Sequence, residues 1–196
     1  QLGEAMTPIT LNYTSQAGSA TVYNGNGTAW MVKDIRVPSG GSSLTNSNPG
    51  DLMVVGNTLY FTADDGINGK ELWKTDGTAS GTMMVHDINS GFSSSEIDKI
   101  VNIGDTLYFV AVDSTYGQEL WKSDGTSSGT EIVKDVKPGT SGTADRQSLV
   151  PHGNTVYFTA EDGTNGRELW KSDGTASGTI MVKNINTQMG SSNEYG

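Results

Sequence analysis

The chain has no cysteine and no long apolar run. Without cysteine it has no disulfide framework, no thiol nucleophile and no thiolate metal site, and its redox compartment stays undecided. The longest apolar segments, such as residues 52–55, are far too short to span a bilayer as a helix. We therefore expect no membrane insertion.

Basic residues are scarce as well. The 196 residues include 12 Lys and Arg against 22 Asp and Glu, which gives a formal net charge of −10. Nucleic acids and anionic membranes both require clustered Lys and Arg, so we expect no nucleic-acid partner. The acidic balance is compatible with a secreted protein that stays soluble and with cation binding.

Helix-forming residues are sparse, whereas Gly is abundant at 26 residues and Ser and Thr are frequent. This composition favours short strands joined by many turns. The chain opens at Gln1 rather than Met, and we expect it to be a processed or trimmed chain.

One segment recurs three times at a nearly constant interval. Its copies are KELWKTDGTASGT (70–82), QELWKSDGTSSGT (118–130) and RELWKSDGTASGT (167–179), so that Trp73, Trp121 and Trp170 are 48 and 49 residues apart. A fixed period in the forties is typical of a repeat architecture, in which no unit buries its apolar face alone.

A degenerate fourth copy opens the chain. Tyr23 stands where the other copies have Trp, and Asn26-Gly27-Thr28 stands for Asp-Gly-Thr. The sequence therefore predicts one domain, residues 1–196, made of repeats at approximately 1–48, 49–97, 98–146 and 147–196.

Each repeat has the pattern of four short strands separated by turns. In the second repeat the predicted strands are Leu52–Val55, Leu59–Ala63, Glu71–Thr75 and Thr82–Ile88. Four strands in about 48 residues are typical of a propeller blade. We predict an all-β fold, a β-propeller-like array of four four-stranded repeats, with an open β-repeat array as the alternative. A closed ring, in which residues 2–6 form the innermost strand of the first blade, is slightly favoured.

These motifs resemble those of the bacterial repeat proteins named for their ELWxxDGT sequence, which are typically large secreted or cell-surface proteins. The resemblance covers residues 52–185 well and residues 8–51 loosely. It implies an extracellular bacterial origin, a secreted or cell-surface localisation and a propeller-like fold. It implies little about activity, because the family is defined by its repeats.

The repeated Trp is the first candidate for ligand binding, since aromatic rings stack on sugars. However, the third strand of a propeller blade is covered by the neighbouring blades. Packing between blades is therefore the favoured interpretation, and an exposed sugar platform is the alternative; both apply to Trp73, Trp121 and Trp170.

Acidic loops form the second candidate site. Carboxylates together with Asn and backbone carbonyls are ligands that Ca²⁺ prefers, although the spacing is not that of an EF-hand. The calcium candidates are Asp64, Asp65, Glu71, Asp113, Glu119, Glu161, Asp162 and Glu168. The Asp-Gly-Thr segments at Asp76, Asp124 and Asp173 are interpreted as structural turns.

Neither histidine predicts catalysis. His86 occupies a position held by Lys in the other repeats, and we interpret it as exposed and tolerant of change. Nothing near His152 in sequence pairs it with a nucleophile, and no repeat-specific cluster suggests a triad or a carboxylate pair. We predict no catalytic residues and no cofactor beyond possible Ca²⁺.

The sequence thus favours a non-enzymatic extracellular or cell-surface module for adhesion, surface coating or self-assembly. Its expected partner is a protein or glycan on a cell surface, or other copies of itself. Two alternatives stay open, namely a multivalent lectin-like propeller and a polysaccharide-acting enzyme with a site in the central channel.

Overall fold

The computed structural model describes residues 14–15, 18–19, 31–36, 46–142 and 144–185. Within these ranges the chain is all-β, without a helix. A short hairpin in the first repeat consists of β1 (Thr14–Ser15) and β2 (Gly18–Ser19). Residues 2–6 lie outside the described residues. Residues 31–36, which match the predicted fourth strand of the later repeats, are described and form no strand, so a fourth strand is wrong for this segment of the first repeat.

The other three repeats each form four strands. The second repeat contributes β3 (Gly50–Val55), β4 (Thr58–Asp64), β5 (Lys70–Thr75) and β6 (Met83–His86). The third contributes β7 (Ile100–Ile103), β8 (Thr106–Asp113), β9 (Gly117–Ser123) and β10 (Glu131–Lys134). The fourth contributes β11 (Val150–His152), β12 (Thr155–Glu161), β13 (Arg167–Ser172) and β14 (Ile180–Lys183).

Each of these repeats is one antiparallel sheet whose strands follow chain order. The register is the same in all three, because Trp of the third strand lies opposite Phe of the second, as in the pairs Phe61–Trp73, Phe109–Trp121 and Phe158–Trp170. The prediction of an all-β fold built from four-stranded repeats is thus confirmed for the second to fourth repeats.

Alternation along the strands gives each sheet two different apolar faces. We call the face that carries Phe and Trp the front face, and the face that carries Tyr and the Leu of Glu-Leu-Trp the back face. The back face of the second-repeat sheet packs on the front face of the third, which buries Tyr60, Leu72, Phe109 and Trp121 in one core. A second core joins the third-repeat back face to the fourth-repeat front face.

The second core has the same composition, since Tyr108 and Leu120 pack with Phe158 and Trp170. The first strands of neighbouring sheets are also in contact, β3 with β7 and β7 with β11. Residues 31–36 of the first repeat lie on the front face of the second-repeat sheet, where Ile35 packs against Phe61 and Trp73. The repeats therefore stack face to face in chain order.

The connections between sheets tie both neighbours together. Ser95 donates its backbone N–H to the Lys70 carbonyl at 3.1 Å and accepts from the Val112 N–H at 2.7 Å, so it links the second-repeat sheet to the third. Ala144 occupies the corresponding place in the next connection, where it donates to the Gln118 carbonyl at 3.1 Å. No helix in the described part of the chain is long and apolar enough to cross a membrane.

Candidate functional site

Each contact between consecutive sheets uses the Lys that follows Trp. Lys74 Nζ donates to the Gly125 carbonyl at 2.8 Å, and Lys122 Nζ donates to the Gly174 carbonyl at 3.0 Å. Both glycines have positive φ, 83° and 88°, and a Cβ at either position would collide with the Tyr hydroxyl of the preceding repeat, Tyr60 or Tyr108. The turn after each third strand is therefore part of the sheet-to-sheet interface.

The Asp-Gly-Thr segment folds on itself. Asp124 Oδ1 accepts the Thr126 backbone N–H at 2.8 Å and its hydroxyl at 2.6 Å, and the Thr126 carbonyl accepts the Thr130 hydroxyl at 2.7 Å. These bonds from Thr hold the pKa of Asp124 below its usual value, and the same cause acts on Asp76 and Asp173. The Asp carboxylates therefore bond within their own turn, which agrees with the interpretation of these segments as structural turns.

The three repeated Trp side chains occupy equivalent, buried positions. Their exposed fractions are 6%, 7% and 6% for Trp73, Trp121 and Trp170. Each indole Nε1 is buried without a hydrogen-bond partner among the described residues. Rings covered in this way fill the space between sheets and are not available as sugar platforms in this arrangement.

Three of the acidic loop residues accept hydrogen bonds from the backbone of their own loops. Asp65 accepts the N–H groups of Ile67 and Asn68, each at 2.8 Å, and Asp162 binds its own loop in the same manner. Asp113 accepts the Tyr116 N–H at 2.7 Å. Burial acts to raise the pKa of Asp65, but the bonds from Asn68 and Ile67 together outweigh it, so this pKa lies below its usual value. The bonds from Asn165 likewise lower the pKa of Asp162 against a smaller opposing effect of burial.

The other loop carboxylates lie opposite basic side chains of the preceding repeat. Asp64 forms an ion pair with Arg36, and Glu161 pairs with Lys137 at 3.1 Å. Among the residues that the structure describes, no three acidic or histidine side chains gather where a metal ion could bind. Calcium binding by the acidic loops therefore stays a prediction.

The Glu of each Glu-Leu-Trp motif is buried rather than part of the loop surface. Burial raises the pKa of Glu71 to about 7, with the Asp87 charge adding to the rise and the nearby Ser95 hydroxyl and Ile88 N–H opposing it. Burial likewise raises the pKa of Glu119 to about 7. One carboxylate oxygen of each, Glu71 Oε1 and Glu119 Oε2, has no hydrogen-bond partner in the described chain. Glu168 is buried at the same position.

The two histidines lie in different surroundings, and His86, which was expected to be exposed, is partly buried. His86 Nδ1 is 2.8 Å from the Ser127 hydroxyl of the next repeat, so this position contributes to the interface between repeats. His152 is exposed and meets Tyr157 edge-on, with ring centroids 6.4 Å apart.

A polar cleft of about 330 Å³ lies between the third and fourth repeats, lined by Asp98, Gln118, Asp145, Arg146, Gln147 and Arg167. Its charges largely neutralise one another, because Arg146 pairs with Asp98 at 3.2 Å and Arg167 lies 3.8 Å from Asp145. No nucleophile and base lie together in this lining.

The strongest candidate site is the back face of the fourth-repeat sheet. Leu169 is 39% exposed, whereas its equivalents Leu72 and Leu120 are fully buried. Val182 is 46% exposed and Ile185 73%, while the equivalent residues of the second and third repeats are all at most 7% exposed. We call this surface the terminal face and define it by Val150, Leu169, Lys171, Val182, Lys183 and Ile185.

The terminal face also carries two lysines at interface positions. Lys171 is equivalent to Lys74 and Lys122, which bind the glycine carbonyl of the next repeat. Lys183 is equivalent to Lys134, whose Nζ donates to the Thr179 carbonyl at 2.8 Å. Within the described chain neither Lys171 nor Lys183 has a hydrogen-bond partner. The terminal face is therefore one half of an interface that is complete twice elsewhere in the chain.

Sequence reasoning did not identify this face, because Leu169 and Lys171 stand in a motif nearly identical to the other two. It also missed the ion pairs between repeats, although a signal was present. Arg36 is equivalent to Asn89 in the second repeat and to Lys137 in the third. The residue opposite changes in step: it is Asp64 for Arg36, Val112 for Asn89 and Glu161 for Lys137.

Comparison with known proteins adds no identification: a scan against protein-family models gives no match, and no curated protein matches the chain.

Proposed function

We propose that this chain is a non-enzymatic, extracellular or cell-surface structural module that acts by stacking β-sheet repeats face to face. The single observation that carries the proposal is the terminal face. It exposes Leu169, Val182 and Ile185, although the same positions are buried in the two preceding repeats. An exposed apolar patch rimmed by polar groups is a usual feature of an interaction site.

The arrangement of the sheets supports a propeller-like array. Successive sheets make the same contacts, and their first strands lie side by side. In a propeller the first strands of the blades surround the central axis, and the sheets pack on one another around it. The resemblance to ELWxxDGT-repeat proteins supports a surface location for such an array.

The lectin and enzyme alternatives receive less support from the described residues. A lectin that used the repeated Trp would need exposed rings, and these rings are buried. An enzyme would need a base next to a nucleophile, or paired carboxylates, in a cleft. The polar cleft between the third and fourth repeats brings together only charge-paired residues and two glutamines, and the contact between His86 and the Ser127 hydroxyl lies outside it.

Sedimentation velocity over a range of concentrations tests the proposal. The wild-type chain is expected to associate as its concentration rises, and Leu169→Lys is expected to prevent this by placing a charge on the terminal face. Ile67→Lys is the control, because Ile67 is also apolar and is more exposed than Leu169, at 66% against 39%, but lies in a loop of the second repeat.

Two further assays separate the alternatives. Glycan-array binding that is lost in a folded Trp121 variant would establish the lectin function instead. Turnover of a polysaccharide would establish an enzyme. Association that Leu169→Lys leaves intact would contradict the role of the terminal face.

A further inference from the structure

A short segment packs on the front face of the second-repeat sheet. Residues 31–36, which we call the strap, form no strand, yet Lys33 Nζ donates to the Thr82 carbonyl at 2.7 Å. Ile35 packs against the Phe and the Trp of the same face. The strap thus occupies the place where, between the later repeats, the fourth strand of a back face packs.

The strap and the end of the terminal face have nearly the same sequence. Residues 31–35 are Met-Val-Lys-Asp-Ile, and residues 181–185 are Met-Val-Lys-Asn-Ile. The Lys and the Ile with which the strap holds the front face therefore recur as Lys183 and Ile185. In the third repeat Lys134 stands at the position of Lys183 and makes the corresponding bond to the next sheet at 2.8 Å. The terminal face thus carries the groups that fit the front face of a second-repeat sheet.

The strap leaves other parts of this front face exposed. Leu52 and Val54 on β3 are both 65% exposed. The residues equivalent to Leu52 in the next two repeats, Ile100 and Leu149, are 5% and 0% exposed. The turn glycine Gly77 is exposed as well, although its equivalents in the third and fourth repeats are buried. A complete back face would cover these groups.

We propose, building on the stacking function above, that the terminal face of one copy stacks on the second-repeat front face of a second copy and displaces its strap. Lys183 then donates to the Thr82 carbonyl that the strap now holds. Lys171 donates to the Gly77 carbonyl, which is the bond that its equivalents make within the chain. Because the two surfaces differ, the contact is head-to-tail, and it generates rings or open filaments according to its rotation.

The strap competes with this contact from within its own chain. A tethered segment is held at a high effective concentration, so a second copy displaces it only by making more contacts or by being concentrated. The terminal face makes more contacts, because it also covers Leu52, Val54 and the turn at Gly77. The strength of the strap therefore sets the concentration at which the chain associates.

Weakening the strap tests the competition. Ile35→Ala removes a partly buried apolar side chain from the strap. We expect sedimentation velocity to show association at a concentration about tenfold lower than for the wild type. Met31→Ala is the matched control, because Met31 is 58% exposed in the same segment, and its association should be unchanged. Association of Ile35→Ala that is no stronger than that of the wild type would overturn the inference.

Cysteine cross-linking identifies the two surfaces, since the chain contains no cysteine. Met83→Cys and Lys183→Cys chains, each with one thiol, are mixed at a concentration at which the wild type associates and are treated with a short bismaleimide. We expect a cross-linked heterodimer, because Met83 follows Thr82, whose carbonyl Lys183 binds. If Lys183→Cys no longer associates, Ile180→Cys replaces it and is paired with Ala79→Cys.

Two controls calibrate the cross-linking. A chain carrying both Lys134→Cys and Ile180→Cys should link internally, since Lys134 Nζ is 2.8 Å from the carbonyl of Thr179, the residue before Ile180. Lys183→Cys mixed with Glu131→Cys is the negative control. Glu131 begins the fourth strand of the third repeat, whose front face is already covered by the second repeat.

The remaining outcomes separate this inference from the stacking function. If no heterodimer forms, although the variants are folded by thermal unfolding and association still depends on Leu169, the partner surface lies elsewhere and only the stacking function stands. Equal linking of Lys183→Cys to Met83→Cys and to Glu131→Cys would also overturn the inference, because it shows no selection for the second repeat. Association that Leu169→Lys leaves intact would instead contradict the stacking function itself.

Discussion

The ammonium group of Lys122 donates a hydrogen bond to the carbonyl oxygen of Gly174, 52 residues further along the chain, at 3.0 Å. Lys74 makes the same bond to Gly125 at 2.8 Å. Lys171 stands at the equivalent position of the last sheet, and no further sheet follows it in the described chain. The internal repetition therefore supplies a matched control for each contact between sheets.

Lys122→Met is expected to lower the free energy of unfolding by about 1–3 kcal/mol, because the buried Gly174 carbonyl loses a charged donor. Lys171→Met removes the same group where it has no partner in the described chain, so the dilute chain should keep its stability. Urea unfolding of both variants measures the difference. Equal losses would show that the bond to Gly174 contributes nothing specific.

Leu120→Ala and Leu169→Ala form a second matched pair. Leu120 is fully buried between the third and fourth repeats, and its truncation should cost about 2–5 kcal/mol. Leu169 is 39% exposed on the terminal face, so its truncation should cost much less in the dilute chain. The two changes in unfolding free energy are compared by denaturant titration. A larger loss for Leu169→Ala would contradict the packing described above.

Stability is expected to fall as pH rises from about 4.5 to about 7. Burial raises the folded-state pKa of Glu71 and Glu119 from 4.5 to about 7. Between these values the folded chain retains protons that the unfolded chain has released, so unfolding becomes easier with increasing pH. Each shift corresponds to a free-energy change on the order of 3 kcal/mol.

Glu71→Gln and Glu119→Gln should each reduce this pH dependence and stabilise the chain above about pH 7, because an amide stays neutral. Asp105→Asn, at an exposed position, is the control, and the fall in stability over this pH range should persist in it. Chemical denaturation at a series of pH values checks both statements. Wild-type stability that rises over this range would contradict the proposed burial of the two carboxyl groups.

The ion pairs between repeats can be tested by reversing the charges of the two partners. Lys137→Glu should destabilise the chain, since it places two like charges where Lys137 Nζ now lies 3.1 Å from Glu161. Adding Glu161→Lys should restore most of the loss. Both side chains are about one-third exposed, so the coupling energy is expected to be only about 0.2–1 kcal/mol. A double-mutant cycle measures it, and a coupling of zero would show that the pair is incidental.

The repeated architecture was predictable from sequence because every local signal agrees with it. The period, the Gly-rich turns and the alternation around Trp121 all indicate short antiparallel strands, and the structure has them. The Asp-Gly-Thr turn was also predictable, since Asp124 can accept two hydrogen bonds from Thr126, two residues further along the chain.

The candidate site could not be predicted in the same way. Leu120 and Leu169 have almost identical sequence surroundings, and only the order of stacking makes one buried and the other exposed. The burial of Glu71 was missed for a related reason. An acidic residue beside a loop suggests a solvated surface, but the connection through Ser95 covers it.

The rate of thiol labelling at Leu120→Cys and Leu169→Cys tests the central claim most directly, because the wild-type chain has no competing cysteine. We predict slow labelling of Leu120→Cys at every concentration. Leu169→Cys should be labelled rapidly when the chain is dilute and become protected when it is concentrated and the terminal face is covered. Equal, slow labelling of both variants in the dilute chain would contradict the account.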